Sequence, residues 1–229
     1  MNCLPNSGHK AVLFDLDGTL VDTAPDMVRV LRALQRDRGV SPVHYQIGRS
    51  NVSNGAVGLL RIGFPNVDDI LLEELRLEYI ERYSADICLE STLFQGLESL
   101  LDALEMADIP WGVVTNKPAH LTEPLLQALQ LEERLACAVS GDTLPLRKPD
   151  PAPLLHACQL ANVDPQASIY VGDALRDIEA GRAAGMSTIA AGYGYITADD
   201  DPERWGADAI ASDTKELAQI VLKAVNLDA

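Results

Sequence analysis

The feature that most restricts the fold of this chain is a set of short apolar runs, each broken off by polar or glycine-containing sequence. The first, Lys10–Asp15, ends abruptly at acidic residues; Pro110–Thr115, Ala136–Ser140 and Ser168–Gly172 have the same form, and Ser187–Ala191 is a weaker example. Runs of this length and uniform apolarity are what parallel strands buried on both faces look like. Helical patterns lie between them. Leu97, Leu100, Leu101 and Leu104 share one helical face, Leu121, Leu125 and Leu129 share another, and Pro153 is placed to open a third helix. Strand alternating with helix predicts an α/β chain with a doubly wound parallel sheet, in which ligands bind beyond the carboxyl ends of the strands.

From Thr23 to about Leu93 this rhythm lapses into helical patterns without strands. Met27, Val30, Leu31 and Leu34 recur at helical spacing before Gly39, and Leu72, Leu75, Tyr79 and Tyr83 do so further on. The stretch reads as an inserted all-helical cap. The expected division is an α/β core from residues 1–22 and 95–229 and a cap from 23–94, hinged at Asp22–Thr23 and Phe94–Gly96. A length of 229 residues suits one full domain plus such an insertion, and residues 1–8 read as a polar lead-in. Eighteen basic against 34 acidic residues give a net charge of −16, which opposes nucleic acid and anionic membrane surfaces and points to a small ligand drawn in by local positive groups. No segment has the length of a membrane-spanning helix. Cys3, Cys88, Cys137 and Cys158 are scattered without paired spacing, so a cytoplasmic setting is expected, with the chain a monomer or homodimer.

The polar residues at the strand ends carry the chemistry. Asp15 and Asp17 flank Leu16 in DLDGT, and the two-residue period of extended chain turns both carboxylates the same way. At about 5 Å and an effective dielectric of 20 they repel by about 3 kcal/mol, so a bound cation or a shared proton is needed. Gly18 permits a tight turn that brings N–H groups to an anion, with Thr19 as a further donor. An acidic turn capping a strand is the plainer alternative, and calcium loops also contain this tetrapeptide. Thr115 and Asn116 in VVTNK offer a hydroxyl and an amide suited to phosphoryl oxygens, although a strand-ending Thr is commonly structural. Lys148 sits in RKPDP, held between prolines or simply solvated. Asp173 and Asp177 in GDALRD stand four apart on one face of a starting helix, where helix capping by Asp173 is the alternative.

Taken in order, these elements resemble the four signature motifs of the haloacid dehalogenase superfamily: DLDGT, Thr115, Lys148 and GDALRD, along essentially the whole chain. The cap inserted after the first motif resembles that of the phosphoglycolate phosphatase and β-phosphoglucomutase branches. The resemblance implies a Mg²⁺-dependent phosphomonoester hydrolase acting on a small phosphorylated metabolite. Asp15 would be the nucleophile that forms an aspartyl phosphate, and Asp17 the general acid and base. Mg²⁺ would be held by Asp15, the Asp17 carbonyl and Asp173, with Asp177 behind them. Thr115 and Lys148 would grip the phosphoryl oxygens.

Arg49–Gly58 (RSNVSNGAVG) resembles the cap loop of phosphoglycolate phosphatases, with Asn54 and Gly55 as substrate contacts and Arg49 placed to meet a substrate carboxylate or simply solvated. Lys117, in TNKP, would bring a second cation near the phosphate. WGVVTNKP, GYGYI and WGAD look like a bacterial subgroup that acts on N-acetylmuramic acid 6-phosphate. Phosphoglycolate ranks first on the breadth of motif evidence, that subgroup second and a β-phosphoglucomutase-like phosphomutase third. A receiver-type phosphorylated signalling module is disfavoured by the long insertion and by Asp17, and a true 2-haloacid dehalogenase is a further rival.

Overall fold

In the computed structural model of the chain, which describes Leu4 and residues 8–227, the apolar runs form one six-stranded sheet. Its strands are β1 (Ala11–Phe14), β4 (Trp111–Val114), β5 (Cys137–Val139), β6 (Ser168–Gly172), β7 (Ser187–Ala191) and β8 (Ala209–Ala211), in spatial order β5-β4-β1-β6-β7-β8, with every neighbouring pair parallel. The lead-in expected over residues 1–8 and Cys3 lie outside the described residues, apart from Leu4 and Gly8.

The pleat splits β1 between two layers. Val12 and Phe14 face a cluster with Leu97, Leu100, Leu101 and Leu104 of α5 (Leu97–Met106), Leu125 of α6 (Ala119–Ala128), and Leu217 and Val221 of α9 (Thr214–Ala224). Leu13 faces the other side, against Leu154, Ala157 and Cys158 of α7 (Ala152–Ala161) and Ala180 of α8 (Leu175–Ala183). Both faces are therefore covered, as an all-parallel sheet requires. The chain leaves β1 for β4 on one side and returns to β6 on the other, so the crevice at the ends of these three strands is the sheet's switch point.

The inserted stretch is helical as expected: α1 (Ala24–Asp37), α2 (Tyr45–Ser50), a 3₁₀ turn over Val52–Asn54, α3 (Gly55–Gly63) and α4 (Asp69–Ala85). The two helical faces read from the sequence meet in one cluster, Met27, Val30, Leu31 and Leu34 against Leu72, Leu75, Tyr79 and Tyr83, joined by Leu121 and Tyr195 from the sheet side. The two crossings pair with each other in a two-stranded antiparallel ribbon of β2 (Val21–Asp22) and β3 (Thr92–Leu93). Asp26 reinforces that neck. Its carboxylate is fully buried and accepts from the backbone N–H groups of Leu89, Glu90 and Ser91, from the Ser91 hydroxyl and from Arg29. Burial pushes the Asp26 carboxyl up, but these donors outweigh it and hold the carboxyl below its ordinary range. Among the described residues no helix is long and apolar enough to cross a membrane.

Candidate active site

Asp15 follows β1 directly, and its Oδ1 accepts from the backbone N–H of Leu16, 2.8 Å away. The loop behind it closes on itself: Leu20 and Val21 donate to the Leu16 carbonyl and the Gly18 N–H donates to the Val21 carbonyl. The N–H of Gly18 itself is thus taken up within the turn. The residue also serves a steric need, because its φ is +85° and a Cβ there would lie 2.1 Å from Asp173 Oδ2. Thr19 is fully buried, its hydroxyl meets no partner among the described residues, and it is not part of the lining of the cavity described below.

Lys148 is fully enclosed, and four oxygens surround its Nζ: Asp15 Oδ1 at 2.9 Å, Asp177 Oδ1 at 2.8 Å, the Tyr170 hydroxyl at 2.8 Å and the Val114 carbonyl at 2.9 Å. Burial pulls the affinity of this amine for its proton down; the carboxylates of Asp15 and Asp177 more than offset that and hold it above the ordinary lysine range. Asn116 fixes the lysine's backbone, donating to the Lys148 carbonyl at 3.0 Å and accepting from the Lys148 N–H at 3.1 Å. Its amide, expected on phosphoryl oxygens, is instead a brace for the lysine. Thr115 lies at the end of β4 and lines the cavity, its Oγ1 accepting from the Lys117 N–H, which leaves the hydroxyl proton available.

The helix after β6 is capped by Asp177, whose Oδ2 accepts from the Ala174 N–H, and this leaves Asp173 free of that duty. Asp173 Oδ2 accepts from the Tyr195 N–H at 2.8 Å and from the Ser53 hydroxyl at 2.7 Å, while Oδ1 is buried without a partner among the described residues. Burial, then Asp15, then Asp177 push the Asp173 carboxyl up to about 7. Asp15, Asp173 and Asp177 each offer an oxygen within 4.8 Å of the others. Three buried carboxylates around one lysine and a bare oxygen form a hard, anionic donor set with surplus negative charge, which fits Mg²⁺.

Asp17 is fixed chiefly through Oδ1, which accepts from Thr23 at 2.6 Å and from Lys117 Nζ at 3.0 Å; the same amine reaches Oδ2 at 3.4 Å and donates to the Tyr83 hydroxyl of α4 at 2.9 Å. The second cation expected near the phosphate thus stands on Asp17. Over these groups lies a cavity of about 620 Å³. Asp15, Asp17, Thr115, Asn116 and Lys117 line its floor, and Val52–Val57, Tyr79, Ile80 and Tyr83 of the insertion line its roof, bringing in Asn54 and Gly55 as expected. Arg49 is absent from this lining. It donates to Asp22 of the ribbon at 3.5 Å and lies over the Tyr195 ring at 4.8 Å, contacts that hold it outside the cavity.

The arginines at the cavity are Arg76, Arg147 and Arg176. Arg76 is paired with Glu73, and Arg176 donates to the Ser53 carbonyl at 2.8 Å. Arg147 is exposed and takes part in none of the described ion pairs. Sequence reasoning missed Tyr170, Tyr195, Ser53 and Arg176 as site residues. Arg176 lies inside GDALRD, Tyr195 inside GYGYI and Ser53 inside RSNVSNGAVG, so all three were within reach of the motifs; Tyr170, within a buried strand, carries no local signal.

A family model described as haloacid dehalogenase-like hydrolase matches residues 12–191. An N-acetylmuramic acid 6-phosphate phosphatase of Pseudomonas putida is 44% identical over 215 residues, covering 93% of this chain and 96% of that protein. A phosphoglycolate phosphatase of Xanthomonas campestris pv. campestris is 43% identical over 208 residues, covering 91% and 94%. Among solved structures, a predicted phosphoglycolate phosphatase from Haemophilus somnus superposes with a TM-score of 0.82 at 26% identity, covering 93% of this chain and 98% of that one.

Proposed function

The chain belongs to the haloacid dehalogenase-like hydrolase family and is a phosphatase, and from that premise we propose that it hydrolyses a carboxylate-bearing phosphomonoester through an aspartyl phosphate on Asp15. The observation that carries this is the meeting of Asp15, Lys148, Asp173 and Asp177 beyond the carboxyl ends of the strands, beside a cavity roofed by the insertion. Residues 23–94 act in this reading as the cap, with the β2–β3 ribbon as its neck.

With Asp15 Oδ1 occupied by Leu16 and Lys148, Oδ2 is the oxygen that attacks phosphorus. The oxygen–phosphorus bond to Asp15 forms as the bond to the leaving oxygen breaks. Asp17, directed by Thr23 and Lys117 through Oδ1, gives a proton to the leaving oxygen from Oδ2 and then takes one from the water that attacks the phosphoenzyme, releasing phosphate and free Asp15. Thr115 donates its hydroxyl proton to a phosphoryl oxygen, and Lys148 keeps the crowded acids from repelling the incoming phosphate. Asp15, Asp173 and the Asp17 carbonyl would hold Mg²⁺, which when bound supplies positive charge to the phosphoryl oxygens.

Cavity size favours the larger of the two substrates. A volume of about 620 Å³ falls in the range of sites for drug-sized ligands, far more than a two-carbon phosphate ester fills. N-acetylmuramic acid 6-phosphate fits it, which reverses the order expected from the motifs, and the Pseudomonas relative agrees. Phosphoglycolate is the second reading, favoured by the Xanthomonas relative. Arg147, which lines the cavity and takes part in no ion pair among the described residues, takes over the part expected of Arg49 and receives the substrate carboxylate. A phosphate-release screen over N-acetylmuramic acid 6-phosphate, phosphoglycolate and plain sugar phosphates, with and without Mg²⁺, tests the reading. Asp15→Asn should abolish turnover in a chain that still folds; undiminished release would overturn it.

A further inference from the structure

We propose that Ser53 is a positioning residue for the cation: carried by the insertion, it holds Asp173 in its metal-binding pose, so that cation affinity and seating of the insertion are one coupled equilibrium. The proposal rests on the phosphatase reading above. The two oxygens of Asp173 are treated unequally. Oδ2 has two donors, the Tyr195 N–H at 2.8 Å and the Ser53 hydroxyl at 2.7 Å; Oδ1 is buried with none among the described residues. Hydrogen bonds to one oxygen of a carboxylate fix its plane and so aim the other.

The two donors have different origins. Tyr195 belongs to the sheet side and is pressed close, since a Cβ on the adjacent Gly194 would lie 2.3 Å from Asp173 Cβ. Ser53 lies in the 3₁₀ turn Val52–Asn54, and its neighbour Val52 is buried in the insertion's own cluster. Ser53 reaches Asp173 only while the insertion is seated. Arg176 of α8 donates to the Ser53 carbonyl at 2.8 Å, so the turn is gripped from the sheet side by both its hydroxyl and its carbonyl. Lifting the insertion strips Oδ2 of one donor and frees the carboxylate to rotate. Because coupling between two equilibria is reciprocal, the cation must in turn favour the seated state.

The test uses the whole chain and MgCl₂ alone, with no substrate. Titration calorimetry compares wild type, Ser53→Ala and Ser53→Thr after far-UV circular dichroism shows each to be folded. Removing such a supporting partner costs roughly 10- to 100-fold in metal affinity, and that loss is expected for Ser53→Ala, with Ser53→Thr close to wild type. Hydrogen exchange supplies a readout that needs no variant: Mg²⁺ should increase protection of the turn at residues 52–54 in wild type. Equal Mg²⁺ affinity in Ser53→Ala, or protection in wild type that Mg²⁺ leaves unchanged, overturns this proposal alone. A wild-type chain that binds no Mg²⁺ overturns the metal assignment and this proposal with it.

Discussion

Lys148→Met offers the sharpest test of the electrostatics. Methionine is of similar length and fills the same tunnel, so the substitution removes the charge and leaves the packing. At 2.9 Å and an effective dielectric of 20, each lysine–carboxylate contact represents about 6 kcal/mol of gross attraction, most of it cancelled by desolvation of the partners. Removing one partner from such a buried group costs about 3–5 kcal/mol, because the orphaned charges stay where they are. Here those orphans are Asp15 and Asp177, with Asp173 beside them. Against a total stability of about 5–15 kcal/mol, the loss is large. Urea unfolding in EDTA should show the midpoint of Lys148→Met well below wild type. Adding Mg²⁺ should then stabilise the variant more than wild type, because the ion supplies the missing positive charge, and turnover should remain absent. Equal midpoints in EDTA would refute the view that the lysine balances this cluster, and so would a Mg²⁺ increment no greater than that of wild type.

Asp26→Ala should cost about 3 kcal/mol by leaving three backbone N–H groups without their acceptor. The carboxyl is held below its ordinary value of 3.8, so its contribution is complete above pH 3.8 and is lost as pH falls through the lower folded value; unfolding midpoints of variant and wild type should converge there, and a constant gap would count against the assignment. Gly18→Ala should lose Mg²⁺ binding in calorimetry, since the new Cβ would meet Asp173 Oδ2 at 2.1 Å, with a further cost of about 1–2 kcal/mol for left-handed backbone. Arg147→Gln should raise KM for N-acetylmuramic acid 6-phosphate about 10- to 100-fold, the worth of one charge-assisted pair, and much less for N-acetylglucosamine 6-phosphate, which lacks the carboxylate; an equal rise for both would remove Arg147 from substrate recognition.

The long-range architecture was legible because parallel strands buried on both faces announce themselves as apolar runs: β1, β4, β5, β6 and β7 lie where the sequence places strands. β8 was not, since three residues, Ala209–Ala211, are too few to show a period. The ribbon of β2 and β3 was hidden for a related reason, being two residues on each side. In the site, residues whose role is set by charge, namely Asp15, Asp173, Asp177 and Lys148, were found from type and strand-end position. Residues whose role depends on a competing partner were misplaced. Arg49 found Asp22 and Tyr195, Asn116 found the backbone of Lys148, and the Gly18 N–H found the Val21 carbonyl. Local sequence says what a side chain offers; the fold decides which bidder is nearest.

The ribbon between Val21–Asp22 and Thr92–Leu93 sets how substrate can come and go. Two separate tethers would let the helical lobe twist and slide, whereas a stitched pair acts as a single strap with one axis. Movement about that axis is smallest at the neck tied by Asp26, and Tyr195, which donates to Asp22 of that neck and to Asp173, keeps the Ser53–Asp173 contact close to the strap. In the proposed reading the mouth then opens on the side away from the strap, and water reaches the reacting atoms by the same route as product leaves.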